Sequence, residues 1–152
     1  MLVYRLVRKK YGIQLSGVGA ARSGNRWNSR GTEIIYTSGS RALAMAEVAV
    51  HLSIAMIPND YVMLEIHIDD NTHILSIDAT ELDLNWNSHP PIKSTQLIGD
   101  QFIANHQYGV MKVPSAVVSG DYNYLINPRH ADIKKVYVRG QQDFKFDRRL
   151  FK

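Results

Sequence analysis

The sequence Gly24-Asn25-Arg26-Trp27-Asn28 is followed by Gly31, by Ile35-Tyr36-Thr37-Ser38 and by a short apolar segment that carries Glu47. This stretch places an arginine on a predicted loop, an aromatic ring on a predicted strand and a carboxylate on a predicted helix. A fixed cation binds phosphate groups, and a carboxylate stabilises a developing positive charge. Together the three groups suit a phosphate-rich nucleotide whose sugar becomes cationic during a reaction.

Glu47 is the most unusual residue of the predicted helix, which runs from about 41 to 53. On a helical wheel Glu47 shares a stripe with Leu43, Val50 and Ile54, and the opposite side of the helix is apolar as well. A carboxylate inside such a helix must be paired, be neutral or face a solvent-filled cleft. The pattern leaves two interpretations open: a functional carboxylate, and a structural ion pair with an arginine or histidine.

Arg26 lies between Gly24 and Gly31 in a segment of small residues. Glycines let the backbone approach a ligand closely, and a guanidinium donates two parallel hydrogen bonds to a phosphate. The alternative is a surface arginine stacked on Trp27. The segment has neither the Gly-Lys-Ser/Thr of a phosphate-binding P-loop nor the strand–GxGxxG–helix pattern of a dinucleotide site.

Ser115 follows Pro114, which fixes the backbone just ahead of it. A hydrolase nucleophile would lie in a Gly-x-Ser-x-Gly sequence with a paired histidine, and neither is visible. Ser115 is therefore either a hydroxyl that positions a substrate or a turn residue between two strands.

Cysteine and histidine usage limits the chemistry further. The chain has no cysteines, which excludes disulfides, thiolate nucleophiles and cysteine-bound zinc, and which fits a cytoplasmic protein. The six histidines show neither HExxH nor His-x-His spacing. We therefore predict no metal site.

Length and composition favour a single globular domain over residues 1–152, since 45% of the residues are hydrophobic and 21% are charged. No apolar run approaches the ~20 residues that span a bilayer, and the N-terminus lacks signal-peptide anatomy. The net charge of +4 permits an anionic partner. A basic nucleic-acid-binding or RNase-like module is thus one alternative, although only Lys135-Tyr137-Arg139 interleaves aromatic and basic residues.

The predicted elements belong to the α+β class. Strands are predicted over about 2–7, 33–37, 61–69, 73–77, 109–113, 116–119 and 133–139. One helix begins after Ser38-Gly39-Ser40, a second begins after Ser94 and extends to about 105, and residues 15–33 are predicted as loop. Strands and helices do not alternate strictly, which disfavours a doubly wound sheet.

Taken together, these segments resemble the RES-domain toxins of bacterial type II toxin–antitoxin pairs, a family named for an Arg, a Glu and a Ser. Each motif is short, but their order and spacing run nearly end to end. The matching segments are Tyr4-Arg5, Gly17-x-Gly19-Ala20, Gly24 to Asn28 with Gly31, Tyr36-Thr37-Ser38, Ala42-Leu43-Ala44 with Glu47 and His51, Thr95-Gln96 with Gly99-Asp100, Val113-Pro114-Ser115, Asn123 to Pro128 with His130, and Phe146 to Leu150. One departure is Asn25, where the family often has a second glycine.

The resemblance implies a fold similar to ADP-ribosyltransferases, with two small sheets flanking a cleft and a few short helices. It also implies a toxin that consumes NAD+ by hydrolysis or phosphorolysis, or one that transfers ADP-ribose to a protein. NAD+ is then the substrate, phosphate is a potential co-substrate and no cofactor is required. The implied partner is an Xre-type helix-turn-helix antitoxin whose C-terminal part blocks the cleft.

The Arg, Glu and Ser for which the family is named correspond to Arg26, Glu47 and Ser115, and the resemblance implies that these are the catalytic residues. The chemistry of the proposed reaction adds three substrate-binding expectations. Arg5 helps Arg26 to hold the pyrophosphate, Tyr36 stacks on a ring, and Asn127, with Ser115, positions the nicotinamide ribose or an incoming phosphate.

Overall fold

Seven strands form one mixed sheet in the computed structural model, which describes residues 1–151. The strands are β1 (Leu2–Arg8), β2 (Ile35–Ser38), β3 (Tyr61–Ile68), β4 (Ile74–Ser76), β5 (Val110–Pro114), β6 (Tyr122–Ile126) and β7 (Val136–Phe144). Their order is β4-β5-β6-β2-β1-β3-β7; β4 and β5 pair in parallel, and the other neighbours pair antiparallel. The predicted α+β class is confirmed.

The expectation of two small sheets is corrected to two wings of one sheet, one formed by β4, β5, β6 and β2 and the other by β1, β3 and β7. The wings meet at β1 and β2, which share a single registered pair, Tyr4 with Ser38. By contrast, β1 pairs with β3 along its whole length and β2 pairs with β6 along all four of its residues. Ser38 is the last residue of β2, so the rest of β2 diverges from β1 and a gap opens in the middle of the sheet.

Three α-helices accompany the sheet in the described residues: α1 (Val18–Ser23), α2 (Arg41–Ala49) and α3 (Lys93–Asn105). The Ser40 hydroxyl caps α2 by accepting a 3.0 Å hydrogen bond from the amide of Leu43. The predicted cap of α3 is wrong, because Ile92 is the last extended residue and Ser94 already lies in the first turn. No helix of this part of the chain is both long enough and apolar enough to cross a membrane.

Other differences from the predicted elements concern short segments of the chain. Helix α2 ends at Ala49 rather than near residue 53. Residues 116–119 are not a strand, because the Ser115 hydroxyl accepts hydrogen bonds from the amides of Val117 and Val118 and closes a turn. The strand that pairs there is β6, and α1 lies within the segment predicted as loop.

Helices α2 and α3 pack on the same face of the sheet, one on each wing. Ala44 of α2 packs with Leu6, Tyr61 and Met63, whereas Phe102 and Ile103 of α3 pack with Met111, Val113 and Leu125. Opposed residues of neighbouring strands share a face, and the register runs from Tyr4 through Ser38 and Asn123 to Val113. The two helices therefore flank the junction of β1 and β2 on one face of the sheet.

Candidate functional site

A cleft of about 820 Å³ opens between α2 and the loop that carries Arg26. Its size falls within the roughly 300–1,000 Å³ that is usual for small-molecule sites. Three consecutive residues of β1, Tyr4, Arg5 and Leu6, all line it. Because consecutive strand residues point to opposite faces, the cavity must reach the edge of β1, where β1 and β2 diverge.

The loop that carries Arg26 is folded around the buried side chain of Asn28. The Asn28 amide donates hydrogen bonds to the carbonyls of Ala20 (2.9 Å) and Thr32 (3.0 Å), and its oxygen accepts one from the Tyr36 hydroxyl (2.7 Å). The same hydroxyl accepts a 3.1 Å hydrogen bond from the Trp27 amide. Burial raises the pKa of Tyr36, so the phenol keeps its proton and continues to donate.

Helix α3 supports this loop from behind. Asp100 accepts hydrogen bonds from the amide (2.9 Å) and the hydroxyl (2.6 Å) of Ser29, and the Gln96 side chain donates to the carbonyl of Asn25 (3.0 Å). At Gly99 the helix comes so close that a Cβ atom would overlap the carbonyl oxygen of Trp27. The backbone around Arg26 is therefore held on both sides.

Arg26 lines the cleft and is held by carbonyl groups rather than by a carboxylate. One terminal nitrogen, Nη1, donates to the carbonyls of Trp86 (2.8 Å) and Ser88 (2.9 Å). The alternative of an arginine stacked on Trp27 is wrong, because the Trp27 ring is buried and packs near Trp86, with the ring centroids 6.3 Å apart. Burial lowers the pKa of Arg26, and the charge of Glu47 opposes this shift.

Arg5 is the second cation of the cleft. It donates a 3.2 Å hydrogen bond to the carbonyl of Ser16, and burial lowers the pKa of its guanidinium. Within residues 1–151 neither Arg5 nor Arg26 forms an ion pair. The arginines that do so are Arg8, Arg41, Arg139 and Arg149.

Glu47 lines the opposite wall and is hydrogen-bonded only to neutral side chains. Its Oε1 oxygen accepts from the Ser115 hydroxyl (2.7 Å) and from the Asn123 amide (2.6 Å). The carboxylates in the ion pairs of the described chain are Glu65 and several aspartates, so the ion-pair interpretation of Glu47 is wrong. Of the three possibilities for a carboxylate in such a helix, Glu47 faces a cleft.

The structure brings five of the six predicted site residues together. Arg5, Arg26, Tyr36 and Glu47 line the cleft, and Ser115 lies behind Glu47, as a turn residue that also contacts the carboxylate. Asn127 is the exception, and its predicted contact with substrate is corrected. Its buried side chain accepts from the amide of Arg129 (2.9 Å) and donates to the carbonyl of Ile103 (3.4 Å), so it fixes the chain beyond β6.

Asn123 also belongs to the site, although the sequence pattern predicts no role for it. It lines the cleft, contacts Glu47 and accepts a 2.7 Å hydrogen bond from the Ser38 hydroxyl. Nothing in the local pattern reveals it, because both contacts span more than seventy residues of sequence. Only knowledge that β2 pairs with β6 identifies the Ser38–Asn123 pair.

A metal is not suggested by the described residues, since no three or more of their acidic and histidine side chains gather as ligands. The charged groups of the cleft are instead a carboxylate and two guanidinium groups. That set suits an organic anion, with the carboxylate placed to interact with a positive centre.

Comparison with known proteins gives consistent matches over nearly the whole chain. The family model described as "RES domain" matches residues 2–148. A protein named "Toxin Res" from Photorhabdus laumondii is 37% identical over 156 residues, covering 100% of this chain and 98% of the relative. A protein named "Prs ADP-ribosylating toxin" from Sphingobium sp. is 34% identical over 140 residues, covering 91% of this chain and 87% of the relative.

The fold is shared with a solved structure. It is titled "Crystal structure of the M.tuberculosis MbcT-MbcA toxin-antitoxin complex", and its matching chain superposes with a TM-score of 0.77 at 20% identity. The superposition covers 99% of this chain and 86% of the other. At this level of identity the likeness concerns the fold alone.

Proposed function

The chain belongs to the RES domain family, and from this premise we propose that it is the toxin of a toxin–antitoxin pair and consumes NAD+ by breaking the nicotinamide–ribose bond. One observation carries the proposal. Two half-buried guanidinium groups without carboxylate partners face the same cleft as a carboxylate that is held only by neutral donors.

Partly buried cations without a counter-charge are costly, and an anionic ligand removes that cost. The pyrophosphate of NAD+ supplies negative charge with oxygen atoms that suit a guanidinium fork. In the described structure Arg26 uses only Nη1 for its carbonyl contacts, so its Nε and Nη2 groups are available to a phosphate. Arg5 provides the second cation.

Glu47 faces the reacting end of the substrate in this arrangement. Loss of nicotinamide, which departs as a neutral molecule with the bonding electron pair, leaves an oxocarbenium-like ribose. A nearby carboxylate stabilises that charge, and little acid catalysis is required. Water then gives ADP-ribose and a proton, whereas phosphate gives ADP-ribose 1″-phosphate.

A second candidate function is transfer of ADP-ribose to a protein through the same cleft. The name of the Sphingobium relative, an ADP-ribosylating toxin, favours it. The two functions share every step up to the oxocarbenium-like ribose and differ only in the acceptor that attacks it.

The nucleic-acid-binding alternative has less support from the structure. The residues that suggested it are engaged within the protein: Tyr137 stacks on His67, Arg139 pairs with Glu65 and Lys135 pairs with Asp132. The two basic side chains are thus each paired with a carboxylate, which reduces the positive charge of this face.

The proposed partner is an Xre-type antitoxin whose C-terminal part enters the cleft. Two features of the cleft suit such a plug: the cationic interior, and the exposed apolar side chains of Val50 and Val117 on its lining. A segment with a carboxylate and a neighbouring apolar side chain complements both. The likeness to a chain from a toxin–antitoxin complex is consistent with this partner.

Purified protein incubated with NAD+, with and without phosphate, tests the proposal. We expect free nicotinamide to appear, together with ADP-ribose or its 1″-phosphate, as measured by liquid chromatography and mass spectrometry. A different result would instead establish the transferase: NAD+ stays intact when only the protein is added, and ADP-ribose is transferred to cellular proteins when these are present. Intact NAD+ under both conditions would overturn both functions.

A further inference from the structure

We infer that Asn123 is a positioning residue for Glu47, and that the reacting oxygen of the carboxylate is Oε2. This inference rests on the proposed function, and it concerns how the carboxylate is held rather than which bond is broken.

The two oxygens of Glu47 have different surroundings. Oε1 accepts both short hydrogen bonds, from Ser115 at 2.7 Å and from Asn123 at 2.6 Å. Oε2 accepts none from the described residues. Because Glu47 itself lines the cleft, the oxygen without protein donors is the one left for a ligand.

The orientation of the Asn123 amide follows from its two partners. The carboxylate of Glu47 only accepts hydrogen bonds, so the amide nitrogen must face it. The amide oxygen then faces the Ser38 hydroxyl, which donates at 2.7 Å. Ser38, Asn123 and Glu47 thus form a chain that runs from β2 across β6 to α2, with a fixed direction of donation.

Ser115 holds the same oxygen from the other side. Its hydroxyl donates to Glu47 and accepts from the amides of Val117 (3.1 Å) and Val118 (3.0 Å), so all of its hydrogen-bonding capacity is used. A hydroxyl in this state has no lone pair left for attack on a substrate. Ser115 and Asn123 therefore act as a pair that fixes the carboxylate before the substrate arrives.

A fixed carboxylate contributes most when the positive charge develops, which is in the transition state. Loss of the Asn123 donor should therefore lower kcat while changing KM little. We expect Asn123→Ala and Asn123→Asp to reduce kcat for nicotinamide release by about 10- to 100-fold, the loss usual for one charge-assisted hydrogen bond. Ser38→Ala, one contact further away, should reduce kcat by a smaller factor.

The matched control is Ser40→Ala. It removes a hydrogen bond from the N-cap of the helix that carries Glu47 without touching the carboxylate, so it should lower the Tm and leave kcat per folded molecule unchanged. Together with Ser115→Ala and Asn123→Ala, the double variant Ser115→Ala/Asn123→Ala completes a double-mutant cycle. Because both donors hold one oxygen, the fold-losses of the single variants should not multiply.

The outcomes separate the inference from the proposed function. A wild-type protein that releases no nicotinamide would overturn both. An active wild type with Asn123 variants that fall in Tm, yet keep the wild-type kcat per folded molecule, would overturn only the positioning role. So would a loss confined to KM, because it would make Asn123 a binding residue.

Discussion

At the scale of single residues, the site is explained by how each charged group is satisfied. Arg5 and Arg26 donate to backbone carbonyls, which carry no net charge, while Glu47 accepts from a hydroxyl and an amide. The protein therefore stabilises all three charges with hydrogen bonds from or to neutral groups, and pairs none of them with an opposite charge. Such an arrangement favours a ligand that carries both negative charge and a positive centre, as NAD+ does.

Arg26→Lys tests the arginine. Lysine keeps the positive charge but loses the planar fork, so the affinity for NAD+ should fall by about tenfold or more. Isothermal titration calorimetry measures this change. Arg30→Lys is the control, since Arg30 is an exposed residue of the same loop and does not line the cleft. An Arg26→Lys protein that binds NAD+ as tightly as the wild type would show that Arg26 only braces the loop.

At the scale of elements, α3 fixes the loop and α2 carries the carboxylate. Helix α3 reaches the loop through Gln96, Gly99 and Asp100, although none of these three residues lines the cleft. Their place in the family resemblance thus has a structural explanation. They position the backbone on either side of Arg26.

Gly99→Ala tests this support. The added methyl group would overlap the Trp27 carbonyl, so either α3 or the Arg26 loop must shift. We expect a loss of stability of about 1–3 kcal/mol, as for other overpacked sites, and weaker NAD+ binding. Gly19→Ala is the matched control because open space surrounds that position on α1. Thermal unfolding and NAD+ titration of both variants give the answer, and normal NAD+ binding by Gly99→Ala would contradict the role of α3.

Elements with a strong local pattern were predicted from the sequence, and those defined by distant pairing were not. The alternation in Tyr61–Ile68 identified β3, and Ser40 identified the start of α2. The strand β6 is not evident from the sequence, because it is defined by its pairing with β2 and β5 rather than by a local pattern. The nearby segment predicted as a strand, residues 116–119, instead follows a turn closed by Ser115. The same pairing hides the contact of Asn123 with Glu47.

At the scale of the whole molecule, the divergence of β1 and β2 creates the cleft and the two wings supply its walls. One wing carries α2 with Glu47, and the other packs on α3, which holds the Arg26 loop. The residues of the site therefore come from most of the chain, which explains why no single short motif identifies it. The exposed apolar side chains of Val50 and Val117 also line this cleft.

This arrangement predicts that the proposed Xre-type antitoxin and NAD+ compete for one site. A plug that carries a carboxylate should contact Arg26, and excess NAD+ should weaken its binding. Because Xre-type proteins are usually dimeric, we also expect a complex that contains at least two toxin chains. Crosslinking, light scattering and NAD+ competition test these points. An antitoxin that binds far from Arg26 and Glu47, with NAD+ binding unaffected, would contradict the proposed plug.

The most direct test of the central claim compares nicotinamide release by the wild-type protein and by Glu47→Gln. Glutamine keeps the size of the side chain and an oxygen that accepts from Ser115 and Asn123, so the fold and the Tm should change little. Without the negative charge, the oxocarbenium-like ribose loses its stabilisation. The account predicts that the wild type releases nicotinamide and that folded Glu47→Gln does not. A folded Glu47→Gln protein that releases nicotinamide at the wild-type rate would contradict it.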